Sequence, residues 1–473
     1  MDFFFQPSSV AIIGASRDEK RPGHNVVKNL IELGYKGKIF PVNPNMEQLL
    51  GLRVFRSINS VPDPVELAII IIPSPLVPAT LRECAEKGVK GCVIISEGFA
   101  ETGEAENIQL QGELKKIVNE TKIRVIGPGT MGVVSLQNNF TSSYVNFKGL
   151  KPTGNITFVA QSGMFAGGMV RYFATYNLPV SRIISLGNKI DVDDSDIFNY
   201  FAKDDQTKVI ALYIEGIKDG KRFREAARNI SLKKPVVVIK GGTTAAGARA
   251  ASSHTGSLAV NADLFNAIAK QTGLIKVDSL TEFLEVAHAF SVTPVLPQGP
   301  RIAIITYSGC LGVLAADNIL KSGLQLANFT QNTNEKIHKV VFDRKFGANP
   351  IDTYPATLKS GNKTVFTTCL DAVLDDPNTD GCILTVWGDE KIDEKPDAKP
   401  DEQPFTPNIR DIILKHQKLG KLTLISVLGE KIGIERERKF FEDHGIVTSI
   451  FTDSAVRIYA HLYHYAQFLK SNK

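Results

Sequence analysis

Short runs of β-branched residues alternate with amphipathic stretches from one end of this chain to the other, and that alternation restricts its fold more than any other feature. Strands separated by helical segments cannot be joined by tight hairpins, so they demand parallel sheets with crossover helices. The first third reads VAIIGAS (10–16), KIFPVNP (38–44), LAIIIIPSP (67–75), GCVIISEG (91–98) and RVIGPG (124–129). A loop-like stretch around 138–154 breaks the rhythm, which restarts with NITFVAQSG (155–163), VSRIISLG (180–187), TKVIALYIEG (207–216) and KPVVVIKGG (234–242). A small-residue segment (243–259) and a helix-like run towards Phe290 follow, and VTPVLPQGP (292–300) reads as a linker. RIAIITYSG (301–309), GCILTVWG (381–388), KLTLISVLG (421–429) and GIVTSIFTD (445–453) make a third α/β series. The charged, proline-rich stretch 389–405 has nothing to bury and reads as a solvated surface loop. Three successive α/β domains suit 473 residues at about 100–200 residues each.

Composition excludes several classes. The 55 basic and 50 acidic side chains leave a net charge of +5, which gives no reason to expect a nucleic acid partner. An apolar run such as Leu67–Ile72 is far short of the roughly 18 residues of a membrane helix, so no membrane association is expected. The N-terminus has no basic region of a secretory leader, and five cysteines form no CxxC pair. Disulfide scaffolds and zinc ribbons are therefore disfavoured, no metal site is expected, and a cytoplasmic enzyme is.

Strand ends carry the candidate chemistry. Gly14-Ala15-Ser16 follows a buried strand, and backbone N–H groups at a helix start receive phosphates. A dinucleotide fingerprint would need GxGxxG and an acidic residue ending the second strand; that strand ends instead in Asn43-Pro44. A nicotinamide cofactor, and with it a dehydrogenase, loses its main support, while an ordinary tight turn remains an alternative. Pro73-Ser74-Pro75, Ser96-Glu97-Gly98 and Gly127-Pro128-Gly129 end neighbouring strands, where open parallel sheets bind ligands, although proline and glycine also punctuate plain loops. Gln161-Ser162-Gly163 and Tyr307-Ser308-Gly309 are a related pair, each opening a helical segment whose N-terminal dipole suits a phosphoryl group. Of eight histidines, His254 alone lies among small residues, in a segment suited to a mobile loop that carries a group between sites. Glu215, ending TKVIALYIEG, is the best-placed carboxylate to hold its ring.

The order GAS, VNP, IIPSP, SEG, IGPG, AQSG, SLGN, YIEGIKDG, ASSHTGSLA and YSG resembles the alpha subunit of ADP-forming acetate–CoA ligases. These are NDP-forming acyl-CoA synthetases related to succinyl-CoA synthetase. The resemblance implies a Rossmann-like CoA-binding domain (1–137), a flavodoxin-like ligase domain with a phosphohistidine (150–291) and a second flavodoxin-like ligase domain (300–473). It further implies His254 as phosphohistidine, Glu215 as its support, and Gln161, Ser162, Gly163, Ser308 and Gly309 around phosphate. Coenzyme A would lie against Gly14, Ala15, Ser16, Asn43, Pro44, Pro73, Ser96, Glu97 and Gly98. No segment reads as an ATP-grasp domain, so ATP or ADP and Mg2+ are expected on a separate ATP-grasp beta subunit, in an α2β2 assembly, with a small carboxylic acid or acyl-CoA as substrate. Cys310 stands where a further glycine is expected, and 389–405 is long for the family. A CoA-binding regulatory protein without ligase activity is the competing reading.

Overall fold

The computed structural model describes residues 1–147, 150, 152–175, 178–255, 261–343, 348–388 and 406–472, without the side chains of 174, 175 and 252–255. The acidic stretch 389–405 lies outside the described residues. The chain divides into two compact bodies, 1–283 and 284–473.

In the first body, five strands pair in parallel in the order β2-β1-β3-β4-β5: β1 (Ser9–Ile13), β2 (Lys38–Val42), β3 (Leu67–Ile70), β4 (Gly91–Ile94) and β5 (Arg124–Ile126). Side chains alternate across the sheet. Val10, Ile12 and Ile69 pack with Val26, Val27 and Leu30 of helix Pro22–Glu32, while Ala11, Ile13 and Ile70 pack with Leu81, Leu114 and Ile117 of the helices opposite. Both faces are covered, which is why these strands are apolar throughout.

A second sheet follows in the order β12-β11-β10-β8-β9-β6-β7: β6 (Val133–Ser135), β7 (Phe140–Thr141), β8 (Ile156–Ala160), β9 (Val180–Ser185), β10 (Val209–Ile214), β11 (Val236–Lys240) and β12 (Ile275–Val277). Its apolar residues Val159, Ile184 and Leu212 belong to one continuous cluster with Val10 and Ile12, so the two sheets share a core. The antiparallel edge of β6 and β7 takes up residues before 150, including part of the expected loop. The expected helical run towards Phe290 is instead helix Ala262–Thr272, strand β12 and helix Leu280–Val292.

The segment expected as a mobile loop is also different. Residues Ala245–Thr255 form a helix, hereafter the histidine helix, because five alanines among eleven residues outweigh a single glycine in helix propensity. It packs against the 3₁₀ turn Ala100–Thr102 that follows β4.

The second body holds a six-stranded parallel sheet in the order β14-β13-β16-β17-β18, with β15 also pairing β13: β13 (Arg301–Thr306), β14 (Gln325–Leu326), β15 (Ile351–Asp352), β16 (Gly381–Gly388), β17 (Leu422–Gly429) and β18 (Thr448–Ser449). The division between bodies falls inside helix Leu280–Val292 and not in the proline-rich 292–300. Phe283 contacts Phe158 of the first body, whereas Phe290 stacks edge-on against Tyr465 of the second. No described helix is long and apolar enough to cross a membrane.

Candidate functional site

The carboxyl ends of the first sheet carry one cavity. Gly14 leaves β1 at φ +97°, and a Cβ there would lie 2.0 Å from the Ile71 carbonyl oxygen, so no side chain fits. Its N–H donates to Val42 (3.1 Å), and the helix that follows begins only at Pro22, so the turn does not itself open a helix as its sequence suggests. Asn43 ties the neighbouring strand end across: its amide donates to the Ala15 carbonyl at 2.7 Å and accepts from the Asn45 N–H at 2.8 Å. Ser16 Oγ accepts the Asp18 N–H (3.1 Å). Gly14, Asn43 and Pro44 line a cavity of about 250 Å³ with Arg56, Ser57, Thr80 and Glu83, four polar residues that no strand-end motif signals.

Next along the sheet edge, Ser96 Oγ donates to the Ile72 carbonyl (2.6 Å) and accepts its N–H (3.1 Å), fixing two strand ends together. Pro73 precedes the 3₁₀ turn Ser74–Leu76, and Gly98, at φ +92°, leaves room for the Ser74 hydroxyl. The Gly98 and Phe99 N–H groups both donate to Glu101 Oε1, at 2.7 and 3.0 Å. Burial pushes the Glu101 carboxyl up, yet donors from Phe99, Asn188 and Gly98 hold it below its usual range, so it is ionised.

A second cavity, of about 120 Å³, takes residues from both sheets of this body. Glu97, Glu101 and Gly129 come from the first sheet's strand ends, and Gln161, Ser162, Gly163, Gly187 and Asn188 from the second's, with Thr130, Met131 and Tyr144 alongside. Ser162 lies two residues beyond β8 and immediately before helix Gly163–Thr175, its hydroxyl accepting the Phe165 N–H at 3.4 Å. Buried Gln161 turns its side-chain oxygen to the N–H groups of Glu215 and Gly216, at 3.0 Å each. Two adjacent strand ends are thereby held in fixed register.

Glu215 is 3% exposed and follows directly on β10. Tyr213 donates to its Oε1 at 2.9 Å, and burial together with that carboxylate raises the phenol well above its usual range, keeping it a donor. Lys240 donates to the Glu215 carbonyl at 2.6 Å and also to that of Gly241. Burial lowers the Lys240 ammonium, the Glu215 carboxylate opposing the shift. Lys189, 2% exposed, pairs with Asp194 and donates to the Gly216 carbonyl, both at 2.8 Å. His254 is the penultimate residue of the histidine helix; its side chain, like all of 256–260, lies outside the described residues.

In the second body, Ser308 precedes helix Gly309–Lys321 and its N–H donates to Thr306 Oγ1 at 3.2 Å. A Cβ at Gly309 would lie 3.1 Å from Asp352 Oδ2, so a carboxylate already faces this helix start and offsets part of its attraction for anions. Cys310 is exposed. Among the described residues Asp371, Asp375 and His416 stand close enough to gather on an ion, but Lys415 already pairs with both carboxylates, at 3.1 and 3.6 Å.

The fold and these strand ends define a class: a CoA-binding sheet joined to a succinyl-CoA-ligase-like sheet. A family model described as the CoA binding domain matches residues 8–135, and one described as the succinyl-CoA ligase like flavodoxin domain matches 153–290. The chain is 40% identical over 380 residues to the alpha subunit of acetate–CoA ligase [ADP-forming] II from Pyrococcus furiosus, covering 80% of this chain and 81% of that one. It is also 40% identical over 466 residues to acetate–CoA ligase [ADP-forming] II from Archaeoglobus fulgidus, covering 98% of this chain but 66% of that protein. A solved structure of the dinucleotide-forming acetyl-coenzyme A synthetase 1 from Ca. Korarchaeum cryptofilum, in complex with phosphate and ADP, matches with a TM-score of 0.85 at 30% identity, over 100% of this chain and 98% of that one. The chain belongs to the ADP-forming acetate–CoA ligase family.

Proposed function

We propose that this chain is the alpha subunit of an ADP-forming acyl-CoA synthetase, interconverting acyl-CoA, ADP and phosphate with a carboxylic acid, CoA and ATP. The cavity shared by Glu97 and Gly129 of one sheet and Gln161, Ser162 and Gly163 of the other carries this reading, because it joins the CoA-binding half to the ligase half. In the proposed division of labour, residues 1–137 bind CoA, 150–291 carry the phosphoryl chemistry, and 300–473 form a second ligase domain.

CoA would lie along Gly14, Ala15, Ser16, Asn43, Pro44, Pro73, Ser96, Glu97 and Gly98. Phosphate would sit at the start of helix Gly163–Thr175, where unpaired N–H groups and the helix dipole meet its charge. Phosphate attacks the acyl carbonyl and CoA leaves as its thiol, giving an acyl phosphate. A His254 ring nitrogen then attacks phosphorus and the carboxylate leaves, giving phosphohistidine, and ADP takes the phosphoryl group to make ATP. The Glu215 carboxylate, bonded by the Tyr213 hydroxyl on a backbone that Gln161 pins, would accept the other ring N–H and steady the cation that forms. Ser308 and Gly309 are proposed as a second helix start offered to phosphate.

The relatives named as alpha subunits imply a partner subunit. We assign ATP or ADP and Mg2+ to an ATP-grasp beta subunit in an α2β2 assembly, and no metal to this chain.

With that partner and γ-labelled ATP, the wild-type chain should take up base-stable, acid-labile label. His254→Ala should take up none, and Glu215→Gln should label at least tenfold more slowly, as for a lost acid–base partner. A chain that binds CoA but never labels under these conditions would be the regulatory protein instead.

A further inference from the structure

The turn Gly187-Asn188-Lys189 bonds to strand ends of both sheets of the first body. The Gly187 N–H donates to the Gln161 carbonyl at 3.1 Å, next to Ser162. The Asn188 and Ile190 N–H groups donate to Pro128 (2.9 Å) and Gly127 (3.1 Å), and the Gly129 N–H donates in turn to Ser96 (3.0 Å). Lys189 reaches the Gly216 carbonyl, and Lys218 reaches back to the carbonyls of Asn188 and Lys189. One side-chain bond completes the network: Asn188 Nδ2 donates to Glu101 Oε2 at 2.6 Å, while Glu101 Oε1 holds the Gly98 and Phe99 N–H groups. The same Asn188 nitrogen donates to Gln111 Oε1 at 2.8 Å, which sets the direction of its amide.

We propose that Glu101 is a positioning residue for the CoA-dependent half of the reaction, locking the Ser96–Gly98 turn to the ligase half through Asn188. The chemistry requires a carboxylate here. Two backbone donors occupy one oxygen and an amide donor the other, so all three acceptor demands fall on one side chain with no proton to place. Its charge is thus satisfied before an anion enters the cavity it lines. The 3₁₀ turn that carries Glu101 also packs against the histidine helix. This inference rests on the reading of Ser96–Gly98 as a CoA contact.

The test uses the complex with the partner subunit. Asn188→Asp places two carboxylates face to face, and Glu101→Gln opposes two amide donors. The double variant restores one donor and one acceptor in reverse order, with the Gln111 amide rotating to donate. Asn188→Asp should raise KM for CoA roughly tenfold, the scale of a lost charge-assisted bond, a larger factor than its effect on labelling by ATP, which its added negative charge in the shared cavity also slows. Glu101→Gln should do the same more mildly, and Glu101→Gln with Asn188→Asp should return KM for CoA to within about threefold of wild type. An unchanged KM in the single variants, or a double variant as impaired as both together, would overturn the proposal. Should a single variant fail to fold, the KM of the double variant decides alone. Failure of the wild-type complex to label at all indicts the phosphohistidine reading and leaves this one measurable, through CoA binding by calorimetry.

Discussion

Lys218 shows how a single side chain responds to its surroundings. Its ammonium lies against the carbonyls of Asn188 and Lys189. Burial first, then the positive charges of Lys115 and Lys189, push its pKa down to about 8, Asp193 and Asp194 opposing the shift. The folded value is below the unfolded one, near 10.5. Between the two the unfolded chain binds more protons, so this residue makes stability rise with pH across that window and costs the fold most below pH 8. The difference in thermal midpoint between wild type and Lys218→Met should therefore grow in favour of wild type from pH 8 to 10.5. A difference flat with pH would show that Lys218 titrates normally. Taking the difference cancels the groups that both proteins share.

At the scale of elements, the strand ends of the second sheet are aligned by one residue. Gln161 gives a single oxygen to two buried N–H groups of the neighbouring strand's end. Gln161→Ala leaves both unsatisfied, at about 1–3 kcal/mol each. We expect urea unfolding of that variant to lose about 2 kcal/mol or more of stability, and labelling to slow because Glu215 is no longer held. Gln161→Glu keeps the acceptor and should hold most of the stability while weakening phosphate binding, since it adds a negative charge beside Ser162. Equal stability loss in both variants would mean that volume, not the acceptor, matters. The first body was legible at this scale wherever strands are long. All five strands of its first sheet and β8 to β11 of its second follow apolar runs that end in glycine, proline or serine. The two- and three-residue strands β6, β7 and β12 were not, because so few residues carry no measurable period; β5, equally short, was legible through the Gly127-Pro128-Gly129 that closes it. The histidine helix was misread for a related reason: alanine and serine satisfy a loop pattern and a helix pattern equally until neighbours choose between them.

For the whole molecule, the ligand of the first sheet is the most direct check. Thermal unfolding in CoA at about a hundred times its Kd should be stabilised by about 2.7 kcal/mol, with no shift in NAD; a shift in NAD alone would reverse the assignment. The case against NAD rests on local facts, Asn43-Pro44 after β2 in place of an acidic residue, and such facts are readable before any fold is known. By itself the sequence determined the parallel α/β class, the glycine that must follow β1, the order of motifs and the candidate pair His254 and Glu215. The class, the glycine and the motifs depend on residues within a few positions of each other, where periodicity and backbone sterics act; His254 and Glu215, 39 positions apart, were paired by the expected sheet topology and the family resemblance. The tertiary structure decided which strand ends meet. Glu101 and Asn188 are 87 residues apart and belong to different sheets. SLGN is conspicuous as a string, but nothing within it names a glutamate as its partner. That pairing exists because the two sheets share one core, which brings the end of β4 beside the turn after β9, and a shared core forms through contacts that no local pattern contains.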